Sequence, residues 1–239
     1  MTRLDKGHAK EPECRVLVVI PAFNESSHLG RVLERLLQGA SWDVVVVDDN
    51  SDDDTRQIAV EYGATLLPLA VRLGAWGATQ TGIRYGIQND YTIIVTMDAD
   101  GQHHPRDIPD LLHALQTENA DVVVGSYPER GSVARHMAWK FFRMLSGVNL
   151  DDLTSGLKVY SKEAACHLAQ ADASIFDYQD LGVLLYLLRN KMQIIERDVH
   201  MSRREDGKSR IFNSWLLVGK YMVQTVILCL SMRVYKKRQ

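Results

Sequence analysis

Short, uninterrupted runs of β-branched residues constrain the fold of this chain more than any other feature. The runs lie at 14–20, 43–47, 64–69, 91–97 and 121–124. Four of these five runs contain at least three consecutive valine or isoleucine residues. Strands that are apolar on both faces are typical of a parallel sheet covered by helices on its two sides. The runs therefore predict a sheet buried on both faces.

Segments with a helical period separate these runs. Residues 26–37 carry leucine and valine at a helical spacing, and either Ser26 or Ser27 is expected to cap that helix. Further helices are predicted within 54–63 and 76–87. Because strands and helices alternate, we predict an α/β protein with a mostly parallel, Rossmann-like sheet flanked by helices.

Polar motifs follow three of the predicted strands at the point where each strand ends. They span Pro21–Glu25, Asp48–Ser51 and Asp98–Gln102. In open α/β sheets, ligands bind beyond the carboxyl ends of the strands, at the point where the strand order reverses. We therefore expect these three motifs to meet in one binding site.

The motif that begins at Asp98 predicts a metal site. Alternate residues of an extended segment face the same way, so Asp98 and Asp100 can direct their carboxylates at one point. Two carboxylates in that position repel each other unless a cation joins them, and hard oxygen ligands suit Mg²⁺ or Mn²⁺. Gln102 offers a further, neutral oxygen. For an isolated Asp-x-Asp motif, an acidic solvated turn is an equally good interpretation.

Charge and cysteine content narrow the class of protein. The chain has 239 residues and a formal net charge of −2, which gives no reason to expect nucleic acid as a partner. Three cysteines without CxxC spacing favour neither a zinc site nor a disulfide framework, and a reducing compartment is expected. Residues 1–13 are polar and lack the apolar core of a signal peptide, so we expect a mobile tail there.

Five motifs occur in the order found in family 2 glycosyltransferases. They are Pro21-Ala-Phe-Asn-Glu25, Asp48-Asp-Asn-Ser51, Met97-Asp-Ala-Asp-Gly-Gln-His103, Thr154-Ser-Gly-Leu-Lys158 and Arg204-Glu-Asp-Gly-Lys-Ser-Arg210. Over residues 16–210 the chain resembles in particular the polyprenyl-phosphate sugar transferases, typified by dolichol-phosphate mannose synthase. The resemblance implies a GT-A fold, a nucleotide-sugar donor (GDP- or UDP-sugar), a divalent metal ion and inversion at the sugar carbon.

The resemblance also implies which residues form the site. Those implied to contact the nucleotide are Pro21, Phe23, Glu25, Val47, Asp49, Asp98, Ala99, Arg204 and Arg210. The implied ligands of Mg²⁺ or Mn²⁺ are Asp98, Asp100 and Gln102. Arg204 and Arg210 would clamp the diphosphate of the donor or the phosphate of the acceptor, since arginine forks match phosphate oxygens. Asp49 would accept a hydrogen bond from a base N–H of either uracil or guanine.

The sequence departs from the family where a general base is expected. The usual glutamate position falls at Gly182, and Asp180 is the nearest carboxylate, so a small shift of its helix would make Asp180 the base. A hydroxyl acceptor needs such a base, whereas a polyprenyl phosphate is already ionised near neutral pH. This favours a dolichyl or undecaprenyl phosphate acceptor, with Asp100, Arg204 and Asp180 as the catalytic candidates. A second departure is Tyr127, which replaces an arginine of the family, with Arg130 three residues later.

The apolar run at 215–232 is interrupted by Lys220 and Gln224, which would make a membrane span costly. Within 213–239 we expect an amphipathic helical segment that lies in the interface of an anionic membrane, packs on the domain or forms an oligomer contact. The GT-A domain would then span 14–212. The protein is expected at the cytoplasmic face of a membrane, as a homo-oligomer or with a small membrane subunit as partner.

Three other functions stay open at this point. The acceptor could be a saccharide or protein hydroxyl in cell-surface polysaccharide synthesis, or the chain could be a non-catalytic nucleotide-sugar-binding subunit. A phospho-acceptor receiver domain would also place Asp48 and Asp49 at the end of a strand. That domain is about half as long, however, and does not explain the motifs at 98–102 and 204–210.

Overall fold

The computed structural model describes residues 14–38, 41–130, 133–146, 148, 150–176 and 180–202, together with 223, 226 and 227. The strands in these ranges are β1 (Val16–Ala22), β2 (Asp43–Asp48), β3 (Thr65–Pro68), β4 (Ile93–Thr96), β5 (Val122–Ser126), β6 (Lys158–Ser161) and β7 (Ile194–Asp198). They form one seven-stranded sheet in the order β3-β2-β1-β4-β6-β5-β7. The order reverses between β1 and β4, and the three polar motifs follow β1, β2 and β4.

Helices connect the strands and cover the sheet. They are α1 (Ser26–Leu37), α2 (Thr55–Glu61), α3 (Gly74–Gln88), α4 (Ile108–Thr117), α5 (Val133–Ser146), α6 (Lys162–Ala169) and α7 (Leu181–Arg189). Short 3₁₀ turns occupy Pro105–Asp107, Pro128–Arg130 and Ala171–Ile175. The predicted alternation of strand and helix is confirmed over the first four strands.

The sheet is mostly parallel, as predicted, with one exception. The β1–β2, β1–β4, β2–β3 and β5–β7 pairs are parallel, whereas β6 runs antiparallel to both β4 and β5. We did not predict β6, because its first residue is a lysine that interrupts the apolar pattern. Lys158 is nevertheless fully buried, and its ammonium group donates to the Ser155 carbonyl.

The sheet is buried on both faces, as the β-branched runs predicted. Leu17 and Val19 of β1 belong to the cluster of buried residues that includes α3, α6 and α7. Val18 and Ile20 belong to the cluster on the other face, with α1 and α4. Alternate residues of one strand thus enter two separate cores.

Helix α3 packs unusually close to the sheet because it carries glycine where it crosses the strands. A Cβ atom at Gly82 would overlap Val19, and one at Gly86 would overlap Ile94. At the amino-terminal end of α3, the indole N–H of buried Trp76 donates to the Ala173 carbonyl at 2.6 Å. These contacts fix the start of α3, which matters for the site described below.

Two details of the predicted strand and helix ends were wrong. Pro21 lies inside β1, which continues to Ala22. Neither Ser26 nor Ser27 caps α1, since the N-cap residue is Glu25 and its side chain makes no capping bond. The N–H groups at the start of α1 donate instead to the start of α2 and the residues before it. Glu25 N–H donates to Thr55 Oγ1 at 2.9 Å, and Ser26 N–H donates to Asp53 Oδ2 at 3.1 Å.

The predicted tail at 1–13 lies outside the described residues, as does most of 213–239. Within the latter segment, residues 223, 226 and 227 are helical. Val226 packs against a core cluster, while Val223 and Ile227 are 60% and 61% exposed. Among the helices that the structure describes, none combines the length and the apolar character needed to cross a bilayer.

Candidate active site

Two loops at the carboxyl ends of β1 and β2 are bonded to each other. Asn24 N–H donates to Ser51 Oγ at 2.9 Å, and the Asn24 side-chain oxygen accepts from Asp52 N–H at 2.9 Å. Asn24 and Asn50 both adopt positive φ values, 53° and 62°, which the asparagine side chain tolerates. The first two predicted motifs therefore form one continuous wall, as expected from their positions after neighbouring strands.

Asp48 and Asp49 follow each other at the end of β2 but hold different parts of the structure. Asp48 is fully buried, accepts from Ser51 N–H at 3.2 Å and forms an ion pair with Arg56 at 2.5 Å. Asp49 accepts from Leu73 N–H at 2.6 Å through one oxygen and from Gly74 N–H at 2.9 Å through the other. A carboxylate oxygen has two lone pairs, so each Asp49 oxygen keeps one for a ligand. Asp49 thus anchors the start of α3 and can still accept a hydrogen bond.

Arg72 lies beside this carboxylate, and the sequence did not identify it. Its guanidinium carbon lies 3.7 Å from the centroid of the Phe23 ring, and its Nε lies 3.9 Å from Asp49 Oδ2. The Arg72 side chain is 61% exposed, so the face of the guanidinium away from Phe23 is accessible. The signal available in the sequence was a basic residue shortly after β3, a strand that ends at the same edge of the sheet as β1 and β2. None of the five motifs contained Arg72.

The other predicted nucleoside residues differ in accessibility. Val47 is fully buried, with its side chain near the position of a Cβ at Gly82, so a contact with a nucleoside would use its main chain. Glu25 is 8% exposed, and its carboxylate lies 3.5 Å from the ring of His28. Pro21 is partly exposed at the end of β1.

Asp98 belongs to the third motif and lies against the fourth, which is far away in sequence. A Cβ at Gly156 would overlap the Asp98 carboxylate, so this glycine leaves room for it. The Asp98 side chain is 50% exposed and lies 3.7 Å from Nε2 of His103, which is buried. Within the part of the chain that the structure describes, neither ring nitrogen of His103 has a hydrogen-bond partner. Gly156 thus brings the Thr154–Lys158 motif to residues 98–102, which we call the acidic turn.

Asp100 of the same turn lines a cleft beside α1. Its Oδ1 accepts from Gln102 N–H at 3.1 Å, and Gly101 between them has a φ of 76°, a value that favours glycine. Ala99 is buried, 3% exposed. Cationic residues of α1, Arg31 and Arg35, line the cleft together with Asp100. Positive charge beside the turn is electrostatically suited to an anionic ligand.

The side chains of the acidic turn fit a divalent cation that takes its remaining ligands from a bound substrate and water. Among the described residues, no group of three or more His, Cys, Asp or Glu side chains could hold a metal ion. Asp98 and Asp100 supply hard carboxylate oxygens, and the side-chain N–H of Gln102 donates to the Ser202 carbonyl at 3.3 Å, which leaves its amide oxygen available. Such a partial ligand set is consistent with Mg²⁺, which commonly takes its remaining ligands from substrate phosphates and water.

Met201 and Ser202, which precede the fifth motif, lie directly beside this turn. Ser202 N–H donates to the Gln102 carbonyl at 2.8 Å, and Ser202 Oγ lies 3.0 Å from Nε2 of His104. Met201 pairs with His103 as an isolated β-bridge. Arg204 and Arg210 themselves lie outside the described residues, but Ser202 precedes Arg204 by only two positions.

A partly buried carboxylate holds the loop that leads to Gly156. Glu196 of β7 accepts from Asp151 N–H at 2.6 Å and from Asp152 N–H at 2.8 Å. Burial raises the pKa of Glu196 above its ordinary value, although these two hydrogen bonds act in the opposite direction. Asp152 is fully buried and accepts from Thr154 N–H at 3.0 Å. Sequence reasoning missed Glu196 because its partners lie more than 40 positions away and no motif includes it.

Asp180 occupies a helix cap. It is the N-cap residue of α7, and its Oδ1 accepts from Gly182 N–H at 3.2 Å. Residues 177–179 lie outside the described part of the chain. The predicted role of Asp180 as a base stays a prediction, and the carboxylate takes part in capping α7.

Comparisons with known proteins agree with the motifs. The profile of the family described as Glycosyl transferase family 2 matches residues 17–167. An undecaprenyl-phosphate mannosyltransferase of Micrococcus luteus is 32% identical over 227 residues, which cover 87% of this chain and 91% of the relative. A polyprenol monophosphomannose synthase of Mycolicibacterium smegmatis is 28% identical over 222 residues, covering 85% and 83% of the two chains.

Solved structures confirm the predicted fold. Glucosyl-3-phosphoglycerate synthase from Mycobacterium tuberculosis superposes with a TM-score of 0.68 over 92% of this chain and 80% of that chain, at 23% identity. A mycobacterial protein reaches a TM-score of 0.71 at 21% identity, over 92% and 75% of the two chains. At these identities the likeness concerns the fold, which is the GT-A fold expected from the sequence.

Proposed function

Because the chain belongs to glycosyl transferase family 2 and is a glycosyltransferase, we propose that it transfers a sugar from a GDP- or UDP-sugar to the phosphate of a polyprenyl phosphate. The reaction inverts the configuration of the sugar carbon. One observation carries the proposal: Asp98 meets Gly156 of the fourth motif, while Gln102 is bonded to Ser202, which precedes the fifth motif by two positions. The acidic turn, from which a diphosphate would be held, thus lies between the fourth motif and the residue that leads to the fifth.

Asp98, Asp100 and Gln102 would hold Mg²⁺ or Mn²⁺. When bound, the cation would neutralise negative charge on the departing diphosphate. Structures of the synthase from Mycobacterium tuberculosis are described as complexes with Mn²⁺ and UDP-glucose and with Mg²⁺ and UDP, which supports a divalent metal here. Arg31 and Arg35 would add positive charge along the cleft.

The wall formed by the first two motifs would bind the nucleoside. Phe23 and Arg72 offer a flat surface on which a base can stack, and Asp49 offers a carboxylate oxygen to a base N–H. Pro21, Glu25, Val47 and Ala99 would complete the wall. Because Asp49 is already fixed by two backbone N–H groups, its carboxylate is oriented before the nucleotide arrives.

A polyprenyl phosphate acceptor is supported by the names of the relatives and by the chemistry of the site. Both relatives described above are named for polyprenyl-type acceptors. A phosphate acceptor is ionised near neutral pH and needs no base, which agrees with the engagement of Asp180 in capping α7. Arg204 and Arg210 would pair with the acceptor phosphate or the diphosphate, and Ser202, two positions before Arg204, is bonded to Gln102. Since such an acceptor lies in a bilayer, we propose that the enzyme is peripheral on the cytoplasmic face of an anionic membrane.

The proposal is tested by transfer assays in detergent with labelled GDP-mannose, UDP-glucose and UDP-N-acetylglucosamine. Each donor is combined with undecaprenyl phosphate, dolichyl phosphate or a soluble oligosaccharide, with Mg²⁺, Mn²⁺ or EDTA. The expected result is a lipid-linked sugar phosphate that forms only with metal. Transfer to the oligosaccharide alone would indicate a hydroxyl acceptor, and binding of donor without transfer to any acceptor would indicate a non-catalytic subunit.

A further inference from the structure

His103 is a buried polar residue at the end of the acidic turn. The residue is 2% exposed, and its side chain is 1% exposed. Among the residues that the structure describes, neither Nδ1 nor Nε2 of its ring has a hydrogen-bond partner. Buried polar groups are nearly always hydrogen-bonded, because an unmade bond inside a protein costs stability. A buried ring without either bond therefore calls for a functional explanation.

The Asp98 carboxylate lies just beyond hydrogen-bond distance of this ring. Its Oδ2 lies 3.7 Å from His103 Nε2, which is too long for a hydrogen bond. A shift of about 1 Å or less would make the bond. A neutral imidazole carries one N–H, so Nε2 can be the donor. The same Oδ2 also adjoins Gly156, where a Cβ atom would overlap it. Asp98 Oδ2 is thus placed against two protein groups.

The backbone of His103 is fixed in the fold. His103 pairs with Met201 as an isolated antiparallel bridge, and the carbonyl of the preceding Gln102 accepts from Ser202 N–H at 2.8 Å. The ring is almost fully buried, whereas the Asp98 side chain is 50% exposed. The carboxylate therefore has more room to move than the ring, and we expect Asp98 to approach His103 rather than the reverse.

The burial of the ring argues against His103 as a direct ligand of the cation. Both of its nitrogens are shielded from solvent, so a hydrated cation cannot reach them without rearranging the turn. The half-exposed Asp98 carboxylate is accessible to the same cation. Oxygen ligands also suit Mg²⁺ and Mn²⁺ better than imidazole does. His103 is thus placed to act on the cation only through the carboxylate.

We propose that His103 is a positioning residue of the metal site: its Nε2–H donates to Asp98 Oδ2 when the cation binds, and Oδ1 is thereby directed to the cation. The inference rests on the divalent cation of the proposed function, which assigns no role to His103. Residues that orient metal-ligating groups typically change metal affinity about 10–100-fold when they are replaced. Without the cation, the buried ring lowers the stability of the fold.

The test compares His103→Leu with the wild-type chain in two measurements that should change in opposite directions. Leucine removes both ring nitrogens and keeps an apolar side chain in the interior, so without metal the melting temperature should equal or exceed that of the wild type. The affinity for Mn²⁺ in the presence of GDP or UDP should fall about tenfold, as measured by the EPR signal of free Mn²⁺. A merely structural role would instead lower the melting temperature.

Two amide variants identify the ring nitrogen that matters. In His103→Gln the amide N–H can take the position of Nε2, so the affinity for Mn²⁺ should stay close to that of the wild type. In His103→Asn the shorter amide reaches only the position of Nδ1, and the affinity should fall as in His103→Leu. This pair also decides the question if His103→Leu does not fold. His113→Leu, at an exposed position of α4, is the matched control and should bind Mn²⁺ like the wild type.

Three results would overturn the proposal. The first is an equal affinity for Mn²⁺ in the wild type and in His103→Leu, and the second is a loss in His103→Gln as large as that in His103→Asn. The third comes from pulsed EPR of the complex with Mn²⁺ and nucleotide. A nitrogen coupling that disappears in His103→Leu would show that His103 binds the metal itself.

Metal binding separates this inference from the proposed function. If the wild-type chain binds no Mn²⁺ with either nucleotide, the cation of the proposed function is wrong, and the role of His103 falls with it. If the wild type binds Mn²⁺ and His103→Leu binds it equally, only the role of His103 is wrong. Sugar transfer in detergent gives a further measurement: the turnover of His103→Leu should be low at limiting Mn²⁺ and recover at saturating Mn²⁺, since Asp98 and Asp100 are intact.

Discussion

The two sides of the acidic turn are held together in different ways. On the donor side, the loops after β1 and β2 are bonded to each other, and Asp49 fixes the start of α3 through two backbone N–H groups. On the other side, which we propose faces the acceptor and call the acceptor side, the loop at 151–156 follows α5 and is held by Glu196, a carboxylate whose pKa is raised by burial. The donor side uses parallel strands and motif residues, while the acceptor side uses an antiparallel strand and a residue outside every motif.

This difference suggests how one fold can serve many acceptors. A nucleotide donor requires fixed, oriented groups, and the donor side supplies them by bonding its carboxylates to backbone within a few residues of the strand ends. The acceptor side depends on contacts between distant segments of the chain. We expect substitutions on the donor side to alter stability and catalysis together, and those on the acceptor side to be more separable.

The largest effect is expected at Asp100, which both sides share. Asp100→Asn keeps the shape of the side chain but removes the charge that would hold the cation, so turnover should fall about 1,000-fold or more. Asp110→Asn, at an exposed position of α4, is the matched control and should retain activity. Steady-state sugar transfer in detergent measures both. Turnover of Asp100→Asn within twofold of the wild type would remove this residue from the site.

The next largest effect is expected where the acceptor loop meets the acidic turn. In Gly156→Ala the new methyl group would overlap the Asp98 carboxylate and displace it. We expect about a 100-fold loss of turnover, comparable to the loss of one stabilising group at an active site. In Gly30→Ala the added Cβ would meet the exposed Tyr62 side chain at 3.3 Å, so this variant should stay active. Equal activity of both variants would mean that the contact between Gly156 and Asp98 is not needed.

Asp49 tests whether the donor side is anchored as described. Asp49→Asn replaces one of the two accepting oxygens by an NH₂ group, which cannot accept a hydrogen bond. The backbone N–H of Leu73 or Gly74 that donated to that oxygen would lose its partner. Chemical denaturation should show a loss of about 2 kcal/mol in the free energy of unfolding. Donor affinity should fall as well, because the same carboxylate orients the base. Unchanged stability together with weaker donor binding would separate recognition from anchoring and contradict the account of Asp49.

The smallest effect, and one that depends on pH, is expected at Glu196. Because burial raises its pKa in the folded state, the folded protein binds this proton more tightly than the unfolded chain does. The contribution of Glu196 to stability is therefore full below its ordinary pKa of 4.5 and declines as the pH rises through the raised value. Glu196→Gln lacks this titration and should cost about 1 kcal/mol or less at pH 7.

Urea unfolding of the wild type and Glu196→Gln between pH 4 and pH 7.5 measures this difference. The advantage of the wild type should be largest at the acidic end and shrink toward neutrality. An advantage that grows with pH would mean that the ionised carboxylate is the stabilising form, and that both sides of the site are anchored in the same way.

Much of the donor side was predictable from the sequence, and the reason is local. Runs such as 43–47 identify buried strands, and motifs that directly follow them, such as Asp98–Gln102, meet because parallel strands end at one edge. The acceptor side was not predictable in this way. β6 begins with a buried lysine, and Glu196 binds a loop more than 40 residues earlier in the chain.

Two errors on the donor side also have a physical cause. The first turn of α1 takes its hydrogen bonds from Asp53 and Thr55, so a local capping rule misassigned Ser26 and Ser27. Arg72 escaped notice because its partner Phe23 is distant in sequence and a cation–π contact leaves no pattern of spacing. In each case the decisive contact joins two loops that only the sheet brings together.

Calorimetric titration of GDP and UDP tests the central claim most directly, with Mn²⁺ or with EDTA, into the wild-type chain and into Asp100→Asn. The account predicts that one nucleotide binds the wild type, that EDTA abolishes most of this binding, and that Asp100→Asn binds equally weakly with and without the metal. Equal, metal-independent binding by both proteins would contradict a cation held between this turn and the diphosphate.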